Sequence, residues 1–194
     1  MIKLAIIGGI GSGKSVVSKV FSTLGYPVYD SDSRAKWLMA NDEKVRSQLI
    51  QVFGSETFEN GILNRAYLSK KVFTDKPALN KLNGIVHPAV YQDFNSFVER
   101  HQSAKIVVIE SAILFESGGD KFVDKILLVN SPLDVRIHRV MRRSNLTRNE
   151  VEYRILNQKN ANELSEKVDF IVENDENHSL LSQINDVIEK LIKC

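Results

Sequence analysis

Residues 8–15 have the sequence GGIGSGKS and match the phosphate-loop pattern G-x-x-x-x-G-K-[ST] at every fixed position. The glycines of such a loop let consecutive backbone N–H groups point inward around a polyphosphate, and the N-terminus of the following helix adds partial positive charge. Lys14 is then expected to contact the β- and γ-phosphates of a nucleotide, and the Ser15 hydroxyl to bind Mg²⁺. The alternative is a plain glycine turn between a strand and a helix.

The segments on either side of this loop favour the phosphate-binding interpretation. An apolar run over residues 4–7 predicts a buried strand before the loop, and apolar residues at helical spacing after it predict a helix that Gly25 closes. Strand, glycine loop and helix is the order of elements that the motif requires.

Acidic residues follow two further predicted strands, at residues 27–29 and 106–109. Ligands of open α/β sheets bind beyond the carboxyl ends of the strands, so Asp30 and Asp32 are expected to face the same crevice as the phosphate loop. Glu110 resembles the acidic strand end that holds Mg²⁺, directly or through water, in phosphate-loop enzymes. The alternatives are that Asp30 only caps the next helix and that Glu110 is a surface acid after a core strand.

A predicted helix that begins at Leu133 is rich in arginine, with Arg136, Arg139 and Arg143 on one face by their spacing. Residues 147–150, TRNE, form a capping box that predicts a second helix. We interpret the two helices as a lid whose guanidinium groups bind a transferred phosphoryl group and spread its charge. A solvated basic face and a nucleic-acid-binding patch are the alternatives.

The elements that position these residues predict an α/β fold. Further strands are predicted at residues 126–129 and 168–172, and alternation of strands with helices implies a mainly parallel, five-stranded sheet covered on both faces. Ser131 and Pro132 predict an N-cap followed by proline at the first helical position. A last helix, capped by Ser179, has a clear apolar stripe.

The segment between the second and third strands of this sheet, about residues 33–103, is predicted to be almost entirely helical. Pro88 is expected to break a helix or to start the next one. Arg65 and His87 stand out as polar residues within apolar stretches. For His87 the alternative to a functional role is a structural hydrogen bond.

The bulk composition is that of an ordinary globular protein: 194 residues, 43% of them hydrophobic, suffice for one core or one domain with an insertion. A net charge of +2 gives no sign of a nucleic-acid or membrane partner. The single cysteine, Cys194, has no internal disulfide partner, and the predicted first strand near Met1 leaves no room for a signal peptide. The cysteine usage fits a reducing, cytoplasmic setting. No apolar run approaches the length of a membrane span.

Short motifs recur along nearly the whole chain. They are the loop at residues 8–15, Asp30-Ser31-Asp32, Arg65 within LNRAYL, LNGIVHP at residues 82–88, Leu114-Phe115-Glu116, Arg139 to Arg143 with Arg154 and Gln158, and DFIVEN at residues 169–174. In this order they resemble the phosphate loop, the D-x-D, the arginine, the L-N-x-I-x-H-P, the end of the P-L-L-F-E, the lid and the D-x-x-I-x-N of the dephospho-CoA kinase family. Their combination is far more specific than the phosphate loop alone.

Two positions depart from the family's pattern. Where the family usually has D-x-P before L-L-F-E, this chain has Glu110-Ser111-Ala112. Asp175 stands where the family often has glycine after the asparagine.

The resemblance implies a P-loop kinase-like three-layer sandwich in a single domain. Its core comprises residues 1–32 and 104–194, a helical acceptor-binding insertion comprises about residues 33–103, and a helical lid comprises about residues 139–160. The implied reaction is ATP-dependent phosphorylation of the ribose 3′-hydroxyl of 3′-dephospho-CoA, the last step of coenzyme A synthesis. ATP is the co-substrate, and Mg²⁺ is the expected cofactor.

The resemblance also implies a role for each candidate residue. Asp32 accepts or orients the proton of the ribose hydroxyl, Lys14 neutralises charge on the transferred group, and Arg139 and Arg143 stabilise the transition state. The residues expected to bind ATP are Gly11, Ser12, Gly13, Lys14, Ser15, Val16 and Asn174; those expected to bind the acceptor are Asp30, Asp32, Arg65, His87 and Glu110; and those expected at the metal are Ser15 and Glu110.

Two rival functions remain open on the sequence alone. One is another P-loop nucleoside or nucleotide kinase, against which the size of the helical insertion and the His-Pro motif argue. The other is a nucleotide-dependent regulatory or nucleic-acid-binding module, against which the balanced charge argues. The expected partners are therefore ATP and 3′-dephospho-CoA, without nucleic acid or membrane, for a monomer or weak homo-oligomer.

Overall fold

The computed structural model describes residues 1–156, 165–175 and 177–193. The chain forms two compact units, of which the first comprises Met1–Tyr29 with His101–Cys194 and the second comprises Asp30–Arg100. Within the described ranges, no helix has both the length and the apolar character that a membrane span requires.

The regular elements follow one another in alternation in the first unit and are mainly helical in the second. In chain order they are β1 (Ile2–Ile7), α1 (Lys14–Thr23), β2 (Val28–Asp30), α2 (Ser31–Asn41), α3 (Glu43–Phe53), β3 (Phe58–Glu59), β4 (Ile62–Leu63), α4 (Arg65–Phe73), α5 (Lys76–Arg100), β5 (Ile106–Glu110), β6 (Lys125–Asn130), α6 (Leu133–Arg143), α7 (Arg148–Leu156), β7 (Phe170–Glu173) and α8 (Leu180–Lys193).

A five-stranded sheet in the order β2-β5-β1-β6-β7 forms the centre of the first unit. β1 pairs in parallel with both β5 and β6, and β6 pairs in parallel with β7. The register places Ile6 of β1 beside Glu110 of β5, so the phosphate loop and this carboxylate both follow the carboxyl ends of central strands. The predicted α/β fold with a five-stranded parallel sheet is confirmed.

The core of the first unit joins the sheet to the helices that flank it. Phe21 of α1 and Ile184 of α8 are fully buried in one cluster with apolar side chains of β1, β5 and β6. The apolar stripe expected on the last helix is present, and it is buried at Ile184, Val187, Ile188 and Leu191. Removing such side chains from water is the main stabilising contribution to a fold of this kind.

The second unit is a helical assembly with its own core. Leu49 of α3 and Leu68 of α4 belong to a buried cluster against which residues of α5 pack. The expectation of an almost entirely helical segment missed the short antiparallel hairpin β3–β4. Its two-residue turn, Asn60 and Gly61, has positive φ at both positions, as the favoured tight hairpin turn requires.

The prediction at Pro88 was wrong, because α5 runs without a break from Lys76 to Arg100 with Pro88 inside it. Apolar residues are buried on both sides of the proline, at Val86, Val90 and Phe94. Burial of this continuous apolar face therefore offsets the backbone hydrogen bond that proline removes.

The predicted cap at Ser179 is present, since its Oγ accepts from the N–H of Ser182 at the start of α8. The carboxylate of Asp42 and the side chain of Asn64 cap α3 and α4. The prediction at Ser131 was wrong by one residue: α6 starts at Leu133 with Pro132 as its N-cap, and Ser131 Oγ donates elsewhere, to the carbonyl of Asn174.

Candidate active site

The glycine loop ends at Gly13, which is the N-cap of α1 and has a left-handed backbone with φ of 93°. Among the residues that the structure describes, no side chain caps this helix. The first N–H groups of an α-helix have no partners within the helix, so an uncapped N-terminus preceded by glycines can bind an anion through its backbone.

Asn174, the residue after β7, fixes the loop from the side. Its Nδ2 donates to the carbonyl oxygen of Ser12 at 2.7 Å. A side chain at position 13 would collide with the amide of Asn174, so the site requires glycine there for space as well as for conformation. The carbonyl of Asn174 in turn accepts from Ser131 Oγ at 2.9 Å and from Arg139 Nη1 at 3.1 Å.

Two polar side chains of the loop have contrasting surroundings. Lys14 Nζ donates to the carbonyl oxygens of Gly8 at 2.8 Å and Gly9 at 3.2 Å, so the ammonium group lies against the backbone of its own loop. Ser12 is 1% exposed, and its Oγ has no hydrogen-bond partner among the described residues. A buried hydroxyl without a hydrogen-bond partner costs free energy of folding. Its presence in the loop is therefore consistent with a polar ligand that binds there.

Arg136, which the sequence places on the basic face of the predicted lid without a role of its own, belongs to this site. Its Nε donates to the carbonyl of Ile10 at 3.0 Å, and its guanidinium occupies the space that a side chain at position 9 would need. Burial lowers the pKa of Arg136 from its ordinary value. The sequence indicated only that Arg136 shares one helix face with Arg139. It did not indicate that Arg136 would be partly buried against the loop.

Three further predicted residues of the first unit lie at the ends of elements. Ser15 is exposed in the first turn of α1, and Glu110 is the last residue of β5. Arg143 is the last residue of α6 and is exposed. Their contribution to binding or catalysis stays a prediction.

The donor set of this unit suits a hard divalent cation that is held mainly by a nucleotide. A serine hydroxyl and one carboxylate, from Ser15 and Glu110, are oxygen donors of the kind that Mg²⁺ prefers. Among the described residues, no group of three or more His, Cys, Asp or Glu side chains could hold a metal ion. Mg²⁺ in kinases is typically bound by one or two protein oxygens together with substrate phosphates, so the residues present fit it.

The lid helices pack on each other and on the loop. Val151 of α7 and Ile137 of α6 form a buried cluster against which Ile10 of the loop packs. The predicted capping box is present: the Glu150 carboxylate accepts from the backbone and the hydroxyl of Thr147. The last part of the predicted lid, including Gln158, lies outside the described residues.

Asp30 and Asp32 start α2 of the second unit. Asp30 Oδ1 accepts from the N–H groups of Asp32 at 3.0 Å and Ser33 at 3.1 Å, so the helix-cap alternative describes what Asp30 does here. Asp32 lies in the first turn and is exposed, where a negative charge also stabilises the helix dipole. A substrate-binding role for either residue stays a prediction.

Arg65 and His87 lie on neighbouring helices of the same unit. Arg65 is the exposed first residue of α4, and His87 is partly buried on α5, against which α4 packs. Burial lowers the pKa of His87 below its ordinary value because the apolar surroundings disfavour the imidazolium ion.

Replacing His87 by glutamine is expected to flatten the pH dependence of stability on the acidic side of neutrality. With its pKa lowered in the fold, His87 binds a proton more readily when the chain is unfolded. Its contribution to stability is therefore complete above the unfolded pKa of about 6.5 and is lost as pH falls below it. Urea unfolding between about pH 5 and pH 8 measures this, with the exposed His138→Gln as the control. Parallel curves for the wild type and His87→Gln would contradict the expectation.

A parallel sheet with a glycine loop between its central strand and an uncapped helix defines a phosphate-loop nucleotide-binding protein of the kinase type. Solved structures agree on this fold. A Thermus thermophilus protein superposes with a TM-score of 0.83 at 33% identity, covering 99% of this chain and 96% of that one. Dephospho-CoA kinase from Campylobacter jejuni superposes with a TM-score of 0.72 at 20% identity, covering 98% and 97% of the two chains.

The family model for dephospho-CoA kinase matches residues 2–179. A dephospho-CoA kinase from Porphyromonas gingivalis is 42% identical over 190 residues, which cover 97% of this chain and 94% of that protein. The chain therefore belongs to the dephospho-CoA kinase family.

The structure accounts locally for one of the two departures from the family's pattern. The carboxylate of Asp175 accepts from the backbone N–H groups of Asn177 and His178. Hydrogen bonding, first from the His178 side chain, lowers the pKa of Asp175. The side chain of Asp175 thus stabilises the turn after Asn174. The family often has glycine at this position.

Proposed function

We propose that this protein transfers the γ-phosphoryl group of ATP to the ribose 3′-hydroxyl of 3′-dephospho-CoA, giving coenzyme A and ADP. The observation that carries the proposal is the uncapped N-terminus of α1 behind its glycine loop, in a chain that belongs to the dephospho-CoA kinase family. A loop of this kind binds a polyphosphate, and membership of the family indicates 3′-dephospho-CoA as the acceptor.

On the ATP side, the backbone from Gly11 through Val16 holds the phosphates, and Lys14 neutralises charge that develops on the transferred group. The buried Ser12 hydroxyl lies within this segment. Asn174 acts on ATP indirectly, because its amide already holds the carbonyl of Ser12 and keeps the loop in shape. Its contribution is to the geometry of the phosphate site.

Mg²⁺ would be held by Ser15 and Glu110 together with ATP, and when bound it neutralises charge on the phosphate oxygens. Glu110 replaces the shorter aspartate that the family usually has, and its longer side chain suits contact through a water molecule.

Arg139 and Arg143 act from α6 as charge-stabilising groups for the transferred phosphoryl group. The first of these is already oriented, because its Nη1 is bonded to the carbonyl of Asn174 and to Ser131 Oγ. A pre-oriented guanidinium costs little reorganisation when the transition state forms, which is the source of its effect.

On the acceptor side, Asp32 takes or orients the proton of the ribose hydroxyl, and Asp30 holds the first turn of α2 that carries Asp32. Arg65 and His87 bind the acceptor from α4 and α5. An ion pair with an acceptor phosphate suits the exposed guanidinium of Arg65, whereas a largely neutral His87 suits a hydrogen bond.

The partners that we propose are the two small molecules alone, with no nucleic acid or membrane surface. The near-balanced charge of the chain supports this, since extended basic surfaces drive both kinds of binding. We propose a cytoplasmic enzyme that acts as a monomer or weak homo-oligomer.

A panel of acceptors with γ-labelled ATP tests the proposal. Label is expected to appear on 3′-dephospho-CoA and to be far weaker on nucleoside monophosphates and on free nucleosides. Preferred labelling of a nucleoside monophosphate would instead assign the protein to the nucleotide kinases. Retention of an oligonucleotide that falls steeply with salt, without any transfer, would favour the regulatory module.

A further inference from the structure

Side chains from two distant parts of the chain hold the backbone of the phosphate loop. Arg136 Nε of α6 donates to the carbonyl oxygen of Ile10 at 3.0 Å. Asn174 Nδ2, after β7, donates to the carbonyl oxygen of Ser12 at 2.7 Å. Lys14 also donates to carbonyls of its own loop, but the proposed function places its ammonium group on the phosphates. The contacts of Arg136 and Asn174 are therefore the ones that can persist when ATP is bound.

The contact of Arg136 with Ile10 fixes the direction of the next backbone N–H group. The peptide bond between Ile10 and Gly11 is trans, so its C=O and N–H groups point in opposite directions. A donor bound to the Ile10 carbonyl therefore directs the Gly11 N–H away from Arg136. Gly11 is the first of the residues that we propose to hold the phosphates of ATP. The hydrogen bond from Arg136 thus orients a donor of the phosphate site.

The surroundings of Arg136 do not explain its presence by stability alone. The residue is partly buried, and no carboxylate in the part of the chain that the structure describes forms an ion pair with it. A cation in such a place loses hydration without the compensation that an acidic partner gives. Ile10 already packs against the apolar cluster that contains Ile137 and Val140 of α6, so the helix needs no arginine to contact the loop. What the guanidinium adds is a directed hydrogen bond to the loop backbone.

Gly9 is the counterpart of Arg136 in the loop. The φ angle of Gly9 lies outside the left-handed region, so its backbone conformation does not require glycine. The three atoms nearest to a Cβ placed at Gly9 all belong to the guanidinium of Arg136, and two of them would lie closer than 3.0 Å. A side chain at position 9 would thus displace the guanidinium from the carbonyl of Ile10.

We propose that Arg136 is a positioning residue for ATP, because its hydrogen bond to Ile10 turns the Gly11 N–H toward the phosphates. Gly9 is glycine because its position must leave room for the guanidinium. The inference rests on the proposed function, which identifies the nucleotide. Helix α6 then shapes the phosphate site before transfer begins, in addition to carrying the arginines that we propose to stabilise the transition state.

A double-mutant cycle on ATP affinity tests the coupling between Arg136 and Gly9. Arg136→Ala removes the hydrogen bond, and Gly9→Ala is expected to break the same bond while the positive charge is retained. Each single variant is expected to weaken ATP binding about tenfold, the effect of losing one charge-assisted hydrogen bond. The double variant is expected to bind about as weakly as either single variant, because the bond can be lost only once. Calorimetric titration with ATP and Mg²⁺, without acceptor, measures all four proteins.

Two controls separate positioning of the loop from other effects. Arg142→Ala removes an exposed positive charge from the same helix and is expected to keep the wild-type affinity for ATP. In steady-state kinetics, Arg136→Ala is expected to raise the KM for ATP and to leave the KM for 3′-dephospho-CoA unchanged, a split that general destabilisation does not produce. Normal ATP affinity in either single variant, a loss of about a hundredfold in the double variant, or an equal loss in Arg142→Ala would overturn the inference.

The same measurements distinguish this inference from the proposed function. A wild type that binds ATP but does not phosphorylate 3′-dephospho-CoA would refute the proposed reaction, and the binding cycle would still decide the role of Arg136. If Gly9→Ala fails to fold, the ATP affinities of Arg136→Ala and of its control Arg142→Ala decide it. A wild type that does not bind ATP would overturn both.

Discussion

Replacing Asp32 by asparagine is expected to lower kcat by about 10²–10⁴-fold, the range typical of a lost general base, while ATP affinity stays near that of the wild type. Asparagine keeps the size of the side chain and removes its capacity to take the hydroxyl proton. Steady-state kinetics with saturating 3′-dephospho-CoA measures kcat, and equilibrium titration measures ATP binding.

The matched control for this change is Glu43→Gln. Glu43 is the acidic residue in the first turn of α3, as Asp32 is in the first turn of α2, so both variants lose a similar helix-dipole interaction. The control is expected to keep wild-type kcat with a comparably small change in thermal stability. A kcat near normal in Asp32→Asn would exclude the proposed role.

Replacing Arg139 by methionine is expected to slow phosphoryl transfer in a single turnover by roughly 10²–10³-fold, the range found when one charge-stabilising donor is removed. The loss of ATP affinity should be far smaller, because the guanidinium acts mainly on charge that develops during transfer. Arg139→Lys keeps the charge without the forked geometry of the guanidinium, so its rate of phosphoryl transfer is expected to lie between those of the wild type and Arg139→Met. Rapid mixing with excess enzyme separates transfer from binding.

Arg142→Met serves as the control for Arg139, because Arg142 lies on the same helix and is exposed. It is expected to leave the transfer rate unchanged. If Arg139→Met weakened ATP binding as much as it slowed transfer, Arg139 would act only by holding Asn174 and, through it, the phosphate loop.

The local signals of the sequence were sufficient for the phosphate loop and the sheet. The motif, the apolar strands and the capping residues each depend on neighbours within a few positions, and these are the interactions that a sequence pattern reports. The cap at Ser179 and the capping box at Thr147 are examples that the structure shows.

Pro88 shows where a local rule failed. A proline inside a helix costs about 3 kcal/mol or more by local considerations alone. Burial of Val86, Val90 and Phe94 on one continuous face of α5 is a tertiary effect, and it decided the outcome.

The role of Arg136 could also not be predicted from the sequence. Its partner, the carbonyl of Ile10, is 126 residues away in the chain, so no spacing pattern could link the two. Only the fold brings α6 over the glycine loop and partly buries Arg136 against it. The sequence does not distinguish the two roles of Asp30, helix cap and ligand-binding residue, because both require a carboxylate at the same helix start.

The most direct measurement of the central claim is the conversion of 3′-dephospho-CoA by the purified protein with ATP and Mg²⁺. The account predicts equimolar ADP and coenzyme A, with ³¹P and ¹H nuclear magnetic resonance placing the new phosphate on the ribose 3′-oxygen. Hydrolysis of ATP without phosphorylation of this acceptor, or a phosphate at another position, would contradict it.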